Sequence, residues 1–248
     1  MFPEQIKVQN QISHLMNVFY RSDCEIRPHF FLTGPSGSGK SYLVEQCARE
    51  VDMPVIEINA AQLTSEGVSG NSLSKALRPL REHWNEPSII FVDEFDKVVQ
   101  RNGEDTEGFR SMVQDEFLRV LEAKNTSVFT DYGKYQPVRV DKTLFIFAGA
   151  FSNQVIESTD DLKEAGLRNE FVGRVPLVFR TEEITINSML KAIPRLKLLD
   201  DYLKIFTNVT KKKAITDISN MLTKDKRAAV IGARLLNSLV HSYFMKDI

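Results

Sequence analysis

A glycine-rich stretch at residues 34–41, GPSGSGKS, has the residue types and spacing of a phosphate-binding loop. It fits the pattern G-x-x-x-x-G-K-[ST], in which glycines let backbone N–H groups approach phosphate oxygens. Lys40 would reach the β- and γ-phosphates of a nucleoside triphosphate, and the Ser41 hydroxyl would bind Mg²⁺. The alternative, a glycine- and serine-rich linker, does not explain why the lysine, the hydroxyl and the flanking elements occur together. We therefore expect ATP bound with Mg²⁺.

A second pair of candidate residues, Asp93 and Glu94, directly follows the apolar run at 89–92. Open α/β sheets bind their ligands at the carboxyl ends of strands, which is where this pair would lie. Asp93 is expected to hold Mg²⁺ through water, and Glu94 to orient and deprotonate the attacking water. The adjacent glutamate favours hydrolysis over phosphoryl transfer to a small molecule. The alternative is that the pair only begins a solvated loop.

The elements that would position these residues alternate between strands and helices. Short apolar runs, typical of strands buried on both faces, occur at 29–33, 55–58, 89–92, 144–148 and 175–179. Helical spacing lies between them, so we predict an α/β fold with a mostly parallel sheet flanked by helices. Residues 127–141 predict a β-hairpin inserted before the fourth strand. After residue 179 the spacing is helical, so we expect a nucleotide-binding domain at 1–180 and a small helical lid domain at 181–248.

The composition is that of an ordinary globular protein. The chain has 248 residues, 42% hydrophobic and 26% charged, with a net charge of −1. This charge gives no overall attraction to nucleic acid or an acidic membrane. No apolar run reaches the roughly 18 residues of a membrane span, and no signal core is visible. Cys24, Cys47 and the four histidines lack metal-ligand spacing. We expect a soluble, reduced, cytoplasmic chain that does not contact a membrane.

Together these segments resemble the ATPase module of the Clp/HslU group of AAA+ unfoldases, and most of all the ClpX family. The resemblance runs from about residue 31 to residue 240. It rests on the loop at 34–41, VDEFDK at 92–97, LFIFAGAF at 144–151, GLRNEFVGR at 166–174 and GAR at 232–234. It implies the AAA+ form of the P-loop fold and a homo-oligomeric ring, usually a hexamer, with ATP sites at subunit interfaces.

The same resemblance assigns roles to two arginines that would otherwise be ordinary surface charges. Arg174 is implied to be an arginine finger that reaches the ATP of a neighbouring subunit, and Arg234 a sensor-2 arginine that contacts the nucleotide from the small domain. The expected catalytic residues are then Glu94, Arg174 and Lys40, and the expected metal ligands are Ser41 and Asp93. The residues expected to bind the nucleotide are Gly34, Pro35, Ser36, Gly37, Ser38, Gly39, Lys40, Ser41, Tyr42 and Arg234.

The departures from this family bear on function. Val68 stands where protein-threading members carry an aromatic pore residue, and it offers less contact area. Phe109 could act in a second pore loop, or it could pack locally. No sensor-1 residue is assigned, since the first polar candidates are Ser152 and Asn153. The segment 151–167 is too short for a protease-docking loop, and neither a zinc domain nor a large insert is visible. We therefore expect no ClpP-like protease partner.

Two functions follow from these observations. The first is a ring ATPase that remodels, unfolds or disassembles a protein or nucleoprotein complex. The alternative is a nucleotide-switched binding module whose ATP-dependent assembly recruits a partner or acts on DNA. The first predicts sensitivity to changes at Val68 or Phe109, and the second predicts that Glu94→Gln keeps partner binding. A small-molecule kinase is the weakest candidate, because no acceptor-binding pattern is visible.

Overall fold

The structure is a computed structural model that describes residues 2–63, 71–99, 107–130, 133–151 and 154–246, without the side chains of 107–110, 229 and 230. The chain divides into two compact units. The sheet unit consists of Val8–Gly34 and Lys40–Arg180. The helical unit consists of Met1–Lys7, Pro35–Gly39 and Thr181–Ile248. The division into a nucleotide-binding domain at 1–180 and a small helical lid domain at 181–248 stays a prediction.

Five parallel strands form the central sheet of the sheet unit. The described strands are β1 (Phe30–Thr33), β2 (Val55–Asn59), β3 (Ser88–Asp93), β4 (Asn125–Phe129), β5 (Tyr135–Arg139), β6 (Thr143–Gly149) and β7 (Leu177–Arg180). The strand order is β2-β3-β6-β1-β7, and every neighbouring pair is parallel. Strands β4 and β5 form a separate antiparallel pair in which Ser127 lies opposite Pro137. The predicted α/β fold is thus confirmed, and the described parts of 127–141 include the expected antiparallel pair.

Helices connect the strands and build most of the helical unit. The described helices are α1 (Ile6–Arg21), α2 (Lys40–Glu50), α3 (Leu73–Ala76), α4 (Asp96–Val99), α5 (Glu107–Glu122), α6 (Thr159–Glu164), α7 (Asn169–Arg174), α8 (Ile186–Ala192), α9 (Lys197–Ile205), α10 (Lys211–Lys224), α11 (Ala228–Ile231) and α12 (Arg234–Phe244). Short 3₁₀ turns occupy Pro3–Gln5, Ala60–Gln62, Arg78–Arg81 and Ile193–Arg195. None of the helices in the described part of the chain is long and apolar enough to cross a membrane.

The last strand begins later than the apolar run at 175–179 predicts. Val175 still donates its backbone N–H to Phe171 at the end of α7, at 2.9 Å. Pro176 has no N–H to give to a neighbouring strand. Pairing therefore begins at Leu177, which lies opposite Phe30 of β1. This start matters for the site, because it sets how far Arg174 lies before the strand.

Both faces of the sheet are buried, as continuous apolar strands require. On one face, Phe31 and Phe147 pack with Phe95, Phe117 and Phe171 in a cluster of aromatic rings whose closest centroids are 4.8 Å apart. The opposite face packs against α1 and α2 through a separate apolar cluster. The aromatic cluster anchors two segments that carry candidate site residues, because Phe95 directly follows Glu94 and Phe171 lies in α7 close to Arg174.

The helical unit has its own apolar core. Buried side chains from α8, α9, α10 and α12 converge there, including Met189, Leu199, Ile218 and Leu236. The ring of the partly buried Tyr202 stacks on the buried ring of Phe244, with their centroids 4.7 Å apart. Residues after 181 thus fold as the helical spacing of the sequence predicts.

Candidate nucleotide site and arginine finger

The loop at 34–41 connects β1 to α2, as its motif requires. Lys40 is the first residue of α2, and its side chain is almost fully buried. Its Nζ atom donates a hydrogen bond of 2.8 Å to the carbonyl oxygen of Gly34. The lysine charge is thus held against the loop that precedes it, where it can meet phosphate oxygens. Ser41 follows Lys40 in the first turn of α2 and is partly buried, and Tyr42 beside it is exposed.

Gly39 gives the loop the conformation and the space that a phosphate needs. Its φ of +86° lies in the left-handed region that favours glycine. A Cβ atom built on Gly39 would meet no atom within 4 Å. The backbone is therefore open at this position, so a phosphate group could approach the N–H groups closely. The open backbone at Gly39 therefore fits the binding of a nucleotide phosphate.

The carbonyl oxygens beside Gly39 are engaged by other parts of the helical unit. The Gly37 oxygen accepts a hydrogen bond from the backbone of Ala233 at 3.1 Å, and the Ser38 oxygen accepts one from Gln5 Nε2 at 2.8 Å. The Ser38 hydroxyl lies 2.7 Å from that of Thr181. Because a trans peptide directs its N–H opposite to its C=O, the N–H of Gly39 points away from Gln5 and is left for a ligand.

Asp93 ends β3, and Glu94 lies in the turn that follows. Asp93 Oδ1 accepts the backbone N–H of Glu94 at 2.8 Å, and Phe95 donates its own N–H to Ala148 at 2.8 Å. Glu94 has a φ of +54°, an unusual conformation for a residue with a Cβ. Such local strain is retained where the surrounding structure holds it, here through buried Phe95. The turn leaves Glu94 exposed and Asp93 partly buried at the carboxyl edge of the sheet.

Carboxylates on β2, β3 and α2 lie close enough to one another to interact. Burial raises the pKa of Glu57 on β2, and the charges of Asp93 and Glu45 raise it further. A region where carboxylates oppose each other's ionisation favours a cation. Among the described residues, no group of three His, Cys, Asp or Glu side chains converges on one metal position. Mg²⁺ commonly takes only one or two protein ligands and completes its shell with phosphates and water. Ser41 and Asp93 fit that role.

The two arginines lie at different places. Arg174 is the last residue of α7, and its side chain is 54% exposed. Its Nε atom donates to Glu122 Oε1 at 2.8 Å, and its Nη2 atom lies 2.6 Å from the same oxygen. Arg234 is the first residue of α12 and is exposed. Both side chains are thus at the surface of the unit that carries them.

Several sequence-based candidates lie outside the described residues. Val68 falls in the undescribed segment 64–70, and Ser152 and Asn153 are likewise outside. Phe109 lies within α5, but its side chain is not described. The pore-loop and sensor-1 hypotheses therefore stay predictions.

Sequence reasoning missed three partners of the site. Gln5 binds the loop at Ser38 and also donates to Glu182 at 3.0 Å. Glu122 holds Arg174, and Gly232 lies against Gly37. Each pair is more than 30 residues apart in sequence, so no local pattern could have indicated it.

A cavity of about 530 Å³ between α3, α5 and the β4–β5 pair includes none of the predicted site residues.

A phosphate loop after β1, an acidic pair after β3 and a parallel sheet in this order define a P-loop ATPase of the AAA+ class. The profile of the ATPase family associated with various cellular activities (AAA) matches residues 30–173, and the chain belongs to that family. The chain therefore binds nucleotide and is an ATPase.

Similar curated proteins narrow the class further. The chain is 27% identical over 295 positions to the ATP-dependent Clp protease ATP-binding subunit ClpX of Treponema denticola, covering 97% of this chain and 70% of that protein. It is 24% identical over 297 positions to the protein of the same description from Azotobacter vinelandii, covering 96% and 67%. The resemblance to ClpX drawn from the motifs is thus confirmed.

Proposed function

We propose that this protein assembles into a homo-oligomeric ring, a hexamer by analogy with its family, and uses ATP hydrolysis to remodel, unfold or disassemble a protein or nucleoprotein complex. The observation that supports the ring most directly is the position of Arg174 in the sheet unit. The arginine is placed at the edge of the sheet opposite to the catalytic carboxylates.

The strand register shows that Arg174 and the two carboxylates lie at opposite edges of the sheet. All five strands run parallel, so the carboxyl ends of β1 and β3 share one edge, where Thr33 and Asp93 lie. Leu177 of β7 pairs with Phe30 at the amino end of β1. Arg174 precedes Leu177 by three residues and therefore lies near the amino edge. At about 3.3 Å per residue, the strand alone separates the two edges by about 10 Å. An arginine at the amino edge is suited to a neighbouring subunit's nucleotide.

The chain's own residues would then share the chemistry as follows. Lys40 and the loop N–H groups bind the β- and γ-phosphates, and Ser41 and Asp93 hold Mg²⁺. Glu94 orients the attacking water and accepts its proton. Arg174 of one subunit stabilises the negative charge that develops on the transferring phosphoryl group in the next. Mg²⁺, when bound, neutralises charge on the same phosphates. Arg234 contacts the nucleotide from the helical unit and signals its state.

A protein or nucleoprotein complex is the proposed substrate, and we propose that the ring acts without a ClpP-like protease. The two relatives are described as subunits of a protease, but the segment joining Phe151 to Leu167 here is short and contains the six-residue helix α6 in its described part. It offers little length for a docking loop. The alternative, a nucleotide-switched module that recruits a partner or acts on DNA, is an outcome of the tests below.

The ring is tested by mass photometry of the wild type, Glu94→Gln and Arg174→Ala, each with and without ATP and Mg²⁺, alongside ATPase turnover. We expect ATP to assemble about six subunits, most stably for Glu94→Gln. Arg174→Ala should bind nucleotide but lose turnover by about 10³-fold or more. A protein that stays monomeric with ATP while Arg174→Ala hydrolyses normally would contradict the proposal.

The substrate is tested by adding candidates to the assembled ring. We expect an unfolded protein to stimulate ATPase turnover, whereas single-stranded DNA should leave it unchanged. The reverse result would favour the DNA-acting alternative. A folded fluorescent protein mixed with the ring, ATP and a ClpP-type peptidase should lose its fluorescence without being degraded. ATP-dependent degradation in this mixture would overturn the proposal that the ring works without a protease.

A further inference from the structure

The guanidinium of Arg174 is held by one carboxylate, that of Glu122. Nε and Nη2 contact the same oxygen, Oε1, at 2.8 and 2.6 Å. The carboxylate thus contacts one side of the planar guanidinium. Within the described residues, no other hydrogen bond or ion pair is recorded for Arg174, and both side chains are about half exposed.

This contact leaves most of the N–H donors of the guanidinium available to another group. An arginine has five N–H donors, and the contacts with Glu122 engage one on Nε and one on Nη2. Both donors of Nη1 and the second donor of Nη2 remain for a phosphate. Glu122 therefore holds the arginine from the side and leaves its outer end to contact another group.

The two helices that carry this pair are firmly joined at a second point. Arg168, which precedes α7, forms an ion pair with Asp115 of α5, and its backbone N–H donates to Gln114 at 3.2 Å. Asp115 lies seven residues before Glu122, about two helical turns away on the same face of α5. Beneath them, Phe117 of α5 and Phe171 of α7 both pack on Phe147. The helical turns that lead to Arg174 and Glu122 are thus held together by two separate contacts.

We propose that Glu122 is a positioning residue that orients Arg174 for the nucleotide of the neighbouring subunit. The inference rests on the proposed function, in which Arg174 acts in trans. An exposed ion pair contributes little to folding, so its effect should appear in catalysis and not in stability. Holding a long side chain in one orientation before the reaction lowers the barrier, and a misplacement of about 1 Å can cost on the order of 100-fold in rate.

The first test compares steady-state kinetics of the assembled ring. Glu122→Ala should lower kcat by roughly tenfold or more and leave KM within about twofold, since Arg174 acts in the transition state. Glu122→Gln should keep most of the turnover, because its amide oxygen can still accept from Nε and Nη2. In an Arg174→Ala background, Glu122→Ala should cause no further loss. An unchanged or increased kcat for Glu122→Ala would overturn the inference, the increase showing that Glu122 restrains Arg174 instead.

One control variant and one further substitution at Glu122 separate positioning of Arg174 from a general loosening of the fold. Asp160→Asn removes a more exposed carboxylate that pairs with Lys163 on α6, and it should leave turnover unchanged. All variants should melt within a few degrees of the wild type. If Glu122→Ala does not fold, Glu122→Asp retains the charge but shortens the reach, and it should also lower kcat. Wild-type kcat in Glu122→Asp together with Glu122→Gln would overturn the inference.

The second test mixes the inactive Glu94→Gln protein with the impaired Glu122→Ala protein. Glu94→Gln lacks its own catalytic carboxylate but has an intact Arg174, whereas Glu122→Ala has the opposite defect. In mixed rings, a Glu122→Ala subunit next to a Glu94→Gln subunit receives a correctly held arginine, so turnover should recover above that of either protein alone. Turnover that recovers when Arg174→Ala is mixed with Glu94→Gln, but not when Glu122→Ala is mixed with Glu94→Gln, is the opposing result. That result would overturn the positioning role of Glu122 and leave the trans role of Arg174 standing. Recovery with neither mixture would contradict the trans arginine and with it the proposed ring.

Discussion

The backbones of Gly37 and Gly232 lie in direct contact within the helical unit. A Cβ atom on Gly232 would lie 2.7 Å from the carbonyl oxygen of Gly37, and a Cβ on Gly37 would lie 1.9 Å from that of Ile231. The same Gly37 oxygen accepts the N–H of Ala233, next to the exposed Arg234. The phosphate loop and the segment before α12 are therefore joined through backbone atoms, and only glycine fits at both positions.

This contact predicts different effects for two glycine substitutions. Gly232→Ala should force the two backbones apart and lower the melting temperature of the nucleotide-free protein, because the φ of +61° also disfavours alanine. Gly39→Ala has open space for its Cβ, so it should lower stability by only about 1 kcal/mol while occupying the phosphate's place. Thermal melting without a nucleotide measures the loss of stability, and melting with a slowly hydrolysed ATP analogue measures nucleotide binding. Gly39→Ala should lose the nucleotide-induced rise in melting temperature. A full rise in Gly39→Ala would contradict the phosphate-loop assignment.

The carboxylates near β3 predict the metal dependence of turnover. Asp93→Asn should raise the Mg²⁺ concentration for half-maximal ATPase activity by about tenfold or more, because a neutral amide is a weaker partner for a hard cation. The same change removes a charge that raises the pKa of Glu57, so that pKa should fall. Mg²⁺ titration of turnover and NMR titration of the Glu57 carboxyl measure the two effects. Glu45→Gln is a matched control, since it also removes a charge near Glu57 but should leave the Mg²⁺ requirement unchanged.

His29 predicts a loss of stability in mild acid. Burial lowers the pKa of His29 to about 3, and its Nδ1 accepts the backbone N–H of Phe145 at 3.1 Å. Because the unfolded chain binds the proton near pH 6.5 and the folded chain near pH 3, the neutral side chain's contribution is complete above pH 6.5 and is lost as the pH falls below it. Between pH 7.5 and 5.5 the free energy of unfolding should fall by about 1.4 kcal/mol from this residue.

Urea unfolding at several pH values measures the His29 effect. His29→Asn keeps an acceptor near Nδ1 but does not titrate, so its stability should change less between pH 7.5 and 5.5 than that of the wild type. Equal pH dependence in the two proteins would show that His29 does not titrate as its burial predicts.

The two thiols should be unreactive in the folded protein. Cys24 and Cys47 are buried and unpaired with each other, and burial raises the pKa of both, that of Cys24 to about 11. Since the thiolate is the reactive form, a disulfide reagent should label neither residue quickly at pH 7.5. Labelling should accelerate with denaturant to a stoichiometry of two. Rapid labelling without denaturant would mean that one of these sites opens locally.

The sequence by itself determined the class of protein and the local chemistry. The loop at 34–41 and the pair Asp93 and Glu94 are contiguous, and their spacing from apolar runs showed which strand ends would carry them. Continuous apolar strands and the helical spacing after residue 179 predicted the layers, because burial on both faces leaves a local pattern. The apolar pattern predicts that the last strand begins two residues too early, because hydrophobicity does not reveal that Pro176 lacks a backbone N–H.

Only the tertiary structure decided what these residues contact. The Glu122 carboxylate under Arg174, the Gln5 amide on Ser38 and the Gly37–Gly232 contact join segments between 33 and 195 residues apart. Glu122 and Gln5 lie in no motif, and the GAR segment that contains Gly232 does not indicate that this glycine contacts Gly37. Register decided the edge of the sheet to which Arg174 belongs, because it depends on how strands far apart in sequence align. Long-range pairing of this kind is a property of the folded chain, and no local periodicity encodes it.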